Sequence, residues 1–244
     1  MDILTIVGVT AINFFSVFLQ GCTGFGYAIT AMFLMPFILP YKESMFIGTI
    51  VIVFMAVQMA VYLRKHINFK VVLVPILFCL LGIWPGVYLI RTLDEKIVRL
   101  IFGIFLICLV PYFYFTSDPK FKINLKANFI NGSIVGFIAG IATGMFNMTG
   151  PFFTMYYFGC CEDSLSLKGT MEFSYVFTGL ASVVMYAIYT PLTPQLSIEA
   201  VLSSIACLVA GFLGLKVYKK LNKKIVRYIF MGILPILGLI LIFR

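Results

Sequence analysis

The sequence predicts an all-α polytopic membrane protein made of two inverted repeats. Each repeat is a broken helix pair (long helix, glycine-rich turn, short helix) followed by three transmembrane helices. Three observations predict this. The 244 residues are 62% hydrophobic and 11% charged, with a mean hydropathy of +1.08; soluble domains are about 45–50% apolar and about 25% charged. Apolar stretches near the roughly 20 residues that cross a bilayer recur along the whole chain. And "LDEKIVRLIF" (93–102) returns as "LNKKIVRYIF" (221–230), identical at seven of ten positions.

The elements follow in order. The first apolar stretch, 3–20, has no basic residues before it, so it reads as a helix that stays in the protein rather than a cleaved signal. It ends at "GCTGFG" (21–26). The next piece, 27–40, is too short to cross easily and reads as a half-helix or re-entrant segment. Long stretches follow at 44–63, 71–91 and 97–115. The polar "TSDPKFKINLK" (116–126) is the linker between repeats 1–115 and 127–244. The second half opens with 127–146, breaks at "GMFNMTGP" (144–151), and continues with a short piece, 151–161. Long stretches at 169–190, 196–216 and 227–243 complete it, with "TPLTPQLS" (190–197) as a proline-broken exterior loop. Gly86 and Gly214 precede the repeated decapeptide by the same distance, and Gly48-Thr49 recurs as Gly169-Thr170. Internal duplication of this kind is a common plan for secondary transporters.

Charge orients the halves. The net charge of +9 sits in short runs between apolar segments, the pattern of cytoplasmic loops and not of a nucleic-acid surface. If each broken pair keeps the parity of a hairpin, thirteen of the 18 Lys and Arg fall on one side, among them Arg64, Lys65, Lys70, Lys120 and Lys216. Five fall on the other: Lys42, Arg91, Lys96, Arg99 and Arg244. The rival parallel arrangement divides them eleven to seven, so the positive-inside rule favours inverted repeats with both termini outside.

The two breaks carry the chemistry. A helix that starts inside the membrane leaves its first N–H groups without intrahelical partners. Those groups carry partial positive charge and suit an anion that the backbone can approach closely. Gly24 and Gly26 precede the first short helix; Thr149, Gly150 and Pro151 open the second, where a proline costs no hydrogen bond. Asn147 and Thr149 are placed to cap the helix or donate to a ligand, with Thr23 and Thr49 nearby. Inverted repeats would bring the two N-termini together near the midplane. Close packing of helices through small residues is the alternative reading of the same glycines.

"GFIAGIATGMFNMTGPFFTMYY" (136–157) resembles the second-half signature of the TauE/SafE sulfite-exporter permeases. "GCTGFGYAITAMFLMP" (21–36) resembles the first-half signature, and "SLKGTMEFSYVF" (166–177) the segment after the second short helix. The resemblance covers nearly the whole chain. It implies transport of sulfur-containing anions such as sulfite and small organosulfonates. The second turn, often richer in glycine in that family, is here the bulkier and more polar "NMTGP".

Further candidates lie after the second short helix. Glu172 is the acidic residue most embedded in apolar sequence, and an intramembrane carboxylate is a functional candidate by default. It is the proton-coupling candidate, and Lys168, four residues earlier on the same face, is a candidate for the anion. The structural alternative is a pair that neutralises itself near the membrane surface. Thr170, Ser174 and Thr178 recur every four residues and either line a path or bond back to their own helix. The six cysteines lack metal-ligand spacing, His66 is the single histidine, and no phosphate-binding loop is present. The sequence therefore predicts no cofactor, no metal, no enzyme activity and no nucleic-acid partner. The expected partners are a small anion, the lipid bilayer and a second copy in a homodimer. The expected location is a bacterial or archaeal inner membrane. An anion channel using the same site, a membrane-embedded enzyme and an assembly subunit are the competing functions.

Overall fold

Ten α-helices make up the computed structural model, with no strand among the described residues. These are 3–23, 26–115, 127–161, 163–190, 193–218 and 223–243, apart from the side chains at 112, 113, 115 and 223–230. The expected linker, 116–126, and Gly24 lie outside them. The first half holds α1 (Ile3–Thr23), α2 (Tyr27–Leu34), α3 (Tyr41–Tyr62), α4 (Phe69–Thr92) and α5 (Glu95–Phe115). The second holds α6 (Phe129–Phe146), α7 (Gly150–Phe158), α8 (Ser164–Tyr189), α9 (Pro194–Tyr218) and α10 (Lys223–Phe243). Among the described residues, six helices, α1, α3, α4, α6, α8 and α9, are long and apolar enough to cross a membrane.

Local chemistry sets the helix starts. Asn68, Asn128 and Asp163 accept hydrogen bonds from the first free N–H groups of α4, α6 and α8, Asp163 from both Leu165 and Ser166 at 2.7 Å. The loop expected over 190–197 is shorter than its prolines suggested. Pro194 is the first residue of α9, a position where its missing N–H costs nothing.

Helices pack in pairs through glycine. Gly136, Gly140 and Gly144 on α6 meet Pro75, Gly82 and Gly86 on α4; a Cβ on Gly86 would lie 3.0 Å from the Gly144 Cα. On α1, Gly21 meets Gly214 of α9 with the same closeness. In lipid there is little hydrophobic drive between helices, so such backbone approach supplies much of the attraction. The spaced glycines of "GFIAGIATG" thus pack two helices, while the glycines of the breaks do something else.

Contacts also give direction. Residue numbers rise together along α4 and α6, and along α1 and α9, where Asn13 donates to Ser203 and Gly21 meets Gly214. They run oppositely along α3 and α8, where Leu63 meets Gly169 and Val53 meets Gly179. They also run oppositely along α5 and α10, where Gly103 meets Ile242 and Gly238 meets Ile107. Exchanging α1–α5 for α6–α10 reproduces these pairings.

Candidate functional site

The end of α1 lies against Gly214 near the end of α9 and Lys168 in the second turn of α8, and the end of α6 lies against Tyr41, Met45 and Thr49 in the first part of α3 and Tyr186 near the end of α8. α1 ends at Thr23 and α2 begins behind Gly26, whose φ of 124° is open to glycine without strain. α6 ends at Asn147, which takes the left-handed conformation (φ 56°) that asparagine tolerates, and α7 starts at Gly150. The two short helices match in detail. Thr30 donates back to the Gly26 carbonyl at 3.0 Å, and Thr154 to the Gly150 carbonyl at 2.8 Å.

Between the breaks lies a cavity of about 30 Å³, room for about two water molecules. Gln20, Gly26, Ala28 and Ile29 line it from the first break; Asn147, Met148, Thr149, Gly150 and Pro151 line it from the second. Ile52, near the middle of α3, and Tyr175, near the middle of α8, complete the wall. Both α3 and α8 are long enough to cross a bilayer, so their mid-length is mid-membrane. The N-terminus of α2 and the N-terminus of α7 therefore open on one cavity deep in the protein. Neither N-cap residue, Gly26 or Thr149, caps its helix with its own side chain. The Tyr27 N–H donates to Gln20 Oε1 at 3.2 Å, which leaves the Gln20 amide nitrogen as a donor at the cavity wall.

The sequence-predicted residues divide into three groups. Gly26, Asn147, Thr149 and Gly150 line the cavity. Thr49 stands behind it: its one hydroxyl proton is shared between the Met45 carbonyl at 2.7 Å and Asn147 Oδ1 at 3.0 Å, while Asn147 Nδ2 donates to the Met45 carbonyl at 3.2 Å. The Asn147 side chain is thus tied to α3 through its oxygen and one of its two N–H groups. Thr149 does not cap α7 either. Thr143 spends its proton on the Ala139 carbonyl, so in the 2.7 Å contact between the two hydroxyls Thr149 donates to Thr143. What this break presents is chiefly backbone.

The third group lies away from the cavity. The Thr23 hydroxyl bonds back to the Leu19 carbonyl at 2.9 Å. Thr170 accepts from the Asn68 N–H at 2.9 Å, and Ser174 meets the Tyr157 hydroxyl at 2.8 Å. Ser174 and Thr178 bond back to Thr170 and Ser174 on their own helix, which explains their four-residue spacing. Lys168 is buried and donates to the Gly21 carbonyl at 2.6 Å. Glu172 is buried as well, and neither carboxylate oxygen has a hydrogen-bond partner among the described residues. No cysteine lines the cavity. Burial pushes the Cys160 thiol up, with Cys161 adding to the effect, so it is a poor nucleophile. Gln20 and Tyr175 are the polar cavity residues that sequence reasoning missed, alongside the apolar Ala28, Ile29, Ile52 and Met148; nothing in their spacing marks them.

The family model for sulfite exporter TauE/SafE matches residues 9–241. The chain belongs to the TauE/SafE sulfite exporter family. No curated protein and no solved structure matches it. As a TauE/SafE protein it is an integral membrane protein of a transporter family that exports sulfite and related sulfur anions. In this TauE/SafE chain both glycine-bearing segments that carried the resemblance converge on the cavity.

Proposed function

We propose that this protein is a secondary transporter that exports a sulfur-containing anion, sulfite or a small organosulfonate, by alternating access. The anion is held between the N-termini of α2 and α7. The observation that carries this reading is the shared cavity: Gly26 and Gly150, each at the start of a short helix, line one space together with Ile52 and Tyr175 from near the middle of α3 and α8. Each helix N-terminus is equivalent to about half a positive charge, so two sum to about one. No Lys or Arg lines the cavity among the described residues. That balance suits a singly charged oxyanion, such as hydrogen sulfite or a sulfonate, better than a doubly charged one.

At about 30 Å³ the cavity is contracted, so loading requires the two breaks to separate. Inverted repeats supply the means. α3 and α8 are equivalent by position in the two halves and run antiparallel, and so do α5 and α10. A two-fold axis relating such pairs lies perpendicular to the helices, in the membrane plane. The units that rock are then residues 1–115 and 127–244, joined by 116–126, with Glu172 as the proton-coupling group. The basic loops support an orientation with the 63–70 turn in the cytoplasm, and the inner membrane of a bacterial or archaeal cell is the location this reading expects. A homodimer is the expected assembly.

Flux of radiolabelled sulfite into proteoliposomes tests the reading. Saturable uptake that is inhibited by small sulfonates and driven by a pH gradient supports a carrier. Unsaturable flux with single-channel conductance replaces it with a channel, and no flux of any sulfur anion removes it.

A further inference from the structure

Lys168 and Glu172 are 2% and 1% exposed and lie one turn apart on α8. Tyr175, on the next turn of the same face, lines the cavity. This face therefore runs from the end of α1 to the cavity wall. The Lys168 ammonium donates to the Gly21 carbonyl at 2.6 Å and sits 4.3 Å from the centre of the Tyr218 ring. The last carbonyls of a helix carry partial negative charge, which an ammonium stabilises. Gly21 adjoins Gln20, whose side chain holds the first N–H of α2. Lys168 thus fixes the geometry of the first break without touching the cavity.

Glu172 is the unused group beside it. A buried, ionised carboxylate with no partner is costly, and either a proton or a cation offsets the cost. The cation within reach is Lys168, now engaged on Gly21. We propose that Lys168 is a positioning residue switched by Glu172: with Glu172 protonated, Lys168 stays latched on the Gly21 carbonyl and the first break stays closed. When Glu172 loses its proton, the carboxylate draws the ammonium away, because a charge-assisted pair outcompetes a bond to a neutral carbonyl. The α1 end is then free, and the N-terminus of α2 separates from that of α7. This latch gives the proposed proton coupling a moving part, and it rests on that coupling reading for its link to transport.

Other charged and titratable groups near Glu172 are few. Lys168 and Tyr175 share its helix, and Tyr218 faces it from α9. Cys22 of α1 lies near Lys168, Asp163 near Tyr218, and the turn bearing Arg64, Lys65 and His66 packs on α8 at Gly169. Phenols and thiols stay protonated around neutrality, and Glu172 is the buried carboxylate within one turn of Lys168.

Hydrogen exchange of the full-length protein in lipid nanodiscs, read on peptides spanning residues 20–30, tests this without any anion present. Each variant is compared with the unmodified protein at the same pH, below and above neutrality. Glu172→Gln should match the unmodified protein below neutrality and exchange about tenfold more slowly above it. Lys168→Gln should exchange about tenfold faster below neutrality and match the unmodified protein above it. Should Lys168→Gln not fold, the isosteric Glu172→Gln carries the test alone. Identical exchange of Glu172→Gln and the unmodified protein at both pH values overturns the latch. Sulfite binding, measured on the same samples, separates the two readings. Binding lost with the exchange pattern intact counts against the anion site and for the latch. Binding kept without the pattern does the reverse.

Discussion

The two breaks solve one problem with different chemistry. Each must end a long helix inside the protein and satisfy its last carbonyls. At the first, Gly26 supplies a conformation that other residues rarely adopt, and a buried ammonium, Lys168, holds the end of α1. At the second, Asn147 supplies the left-handed turn and is itself tied to Met45 and Thr49 of α3. The last carbonyls of α6, Gly144 and Met145, are held by the phenols of Tyr186 and Tyr41. One break is fixed by a charge with a titratable neighbour. The other is fixed by neutral groups that keep their protons at physiological pH. The difference teaches where movement belongs: under the proposed latch, loss of a proton releases the first break and not the second.

Substitutions can break or sharpen this comparison. The largest effect is expected at the glycines that open the short helices. Gly26→Leu and Gly150→Leu should each lower sulfite affinity at least about a hundredfold, because a side chain there displaces backbone from the anion. Gly26→Leu should also cost about 1–2 kcal/mol of stability from its positive φ, which Gly150→Leu should not. Isothermal titration and thermal unfolding in detergent read the two effects separately, and equal destabilisation would erase the contrast.

Asn147→Ala comes next. It removes both ties to α3 and the residue that tolerates φ 56°, so a loss of about 2–3 kcal/mol is expected. Asn147→Gly keeps the turn and loses only the ties, so it should recover part of that loss in the same unfolding assay. Tyr41→Phe and Tyr186→Phe should each cost about 1 kcal/mol. They should leave the pH profile of transport unshifted, and a shift would show that the second break titrates as well. The smallest effects belong to Ser174→Ala and Thr178→Ala. Their hydroxyls bond within α8, so sulfite flux should stay within about twofold of the unmodified protein.

The helices and their breaks were readable because each leaves a physical trace. Apolar length shows where a helix can cross, and Gly24, Gly26 and Gly150 stand out in apolar surroundings. Pro194 misled because proline marks a helix start as readily as a loop. At the cavity, the break residues Gly26, Asn147, Thr149 and Gly150 were legible from position. Lys168, Thr170 and Ser174 attracted attention through polarity on one helix, yet their partners come from Gly21, Asn68 and Tyr157. Such pairings depend on how distant segments fold together. Gln20 and Tyr175 were invisible for the same reason: each is ordinary in its own helix and becomes a wall residue only when α1, α7 and α8 meet.

The most direct test of the shared site is hydrogen exchange during a sulfite titration, followed in two peptides of one sample, 26–30 and 149–154. One anion held by both N-termini slows exchange in both peptides with a single common midpoint. Slowing in one peptide alone, or in neither while sulfite is bound, would contradict it.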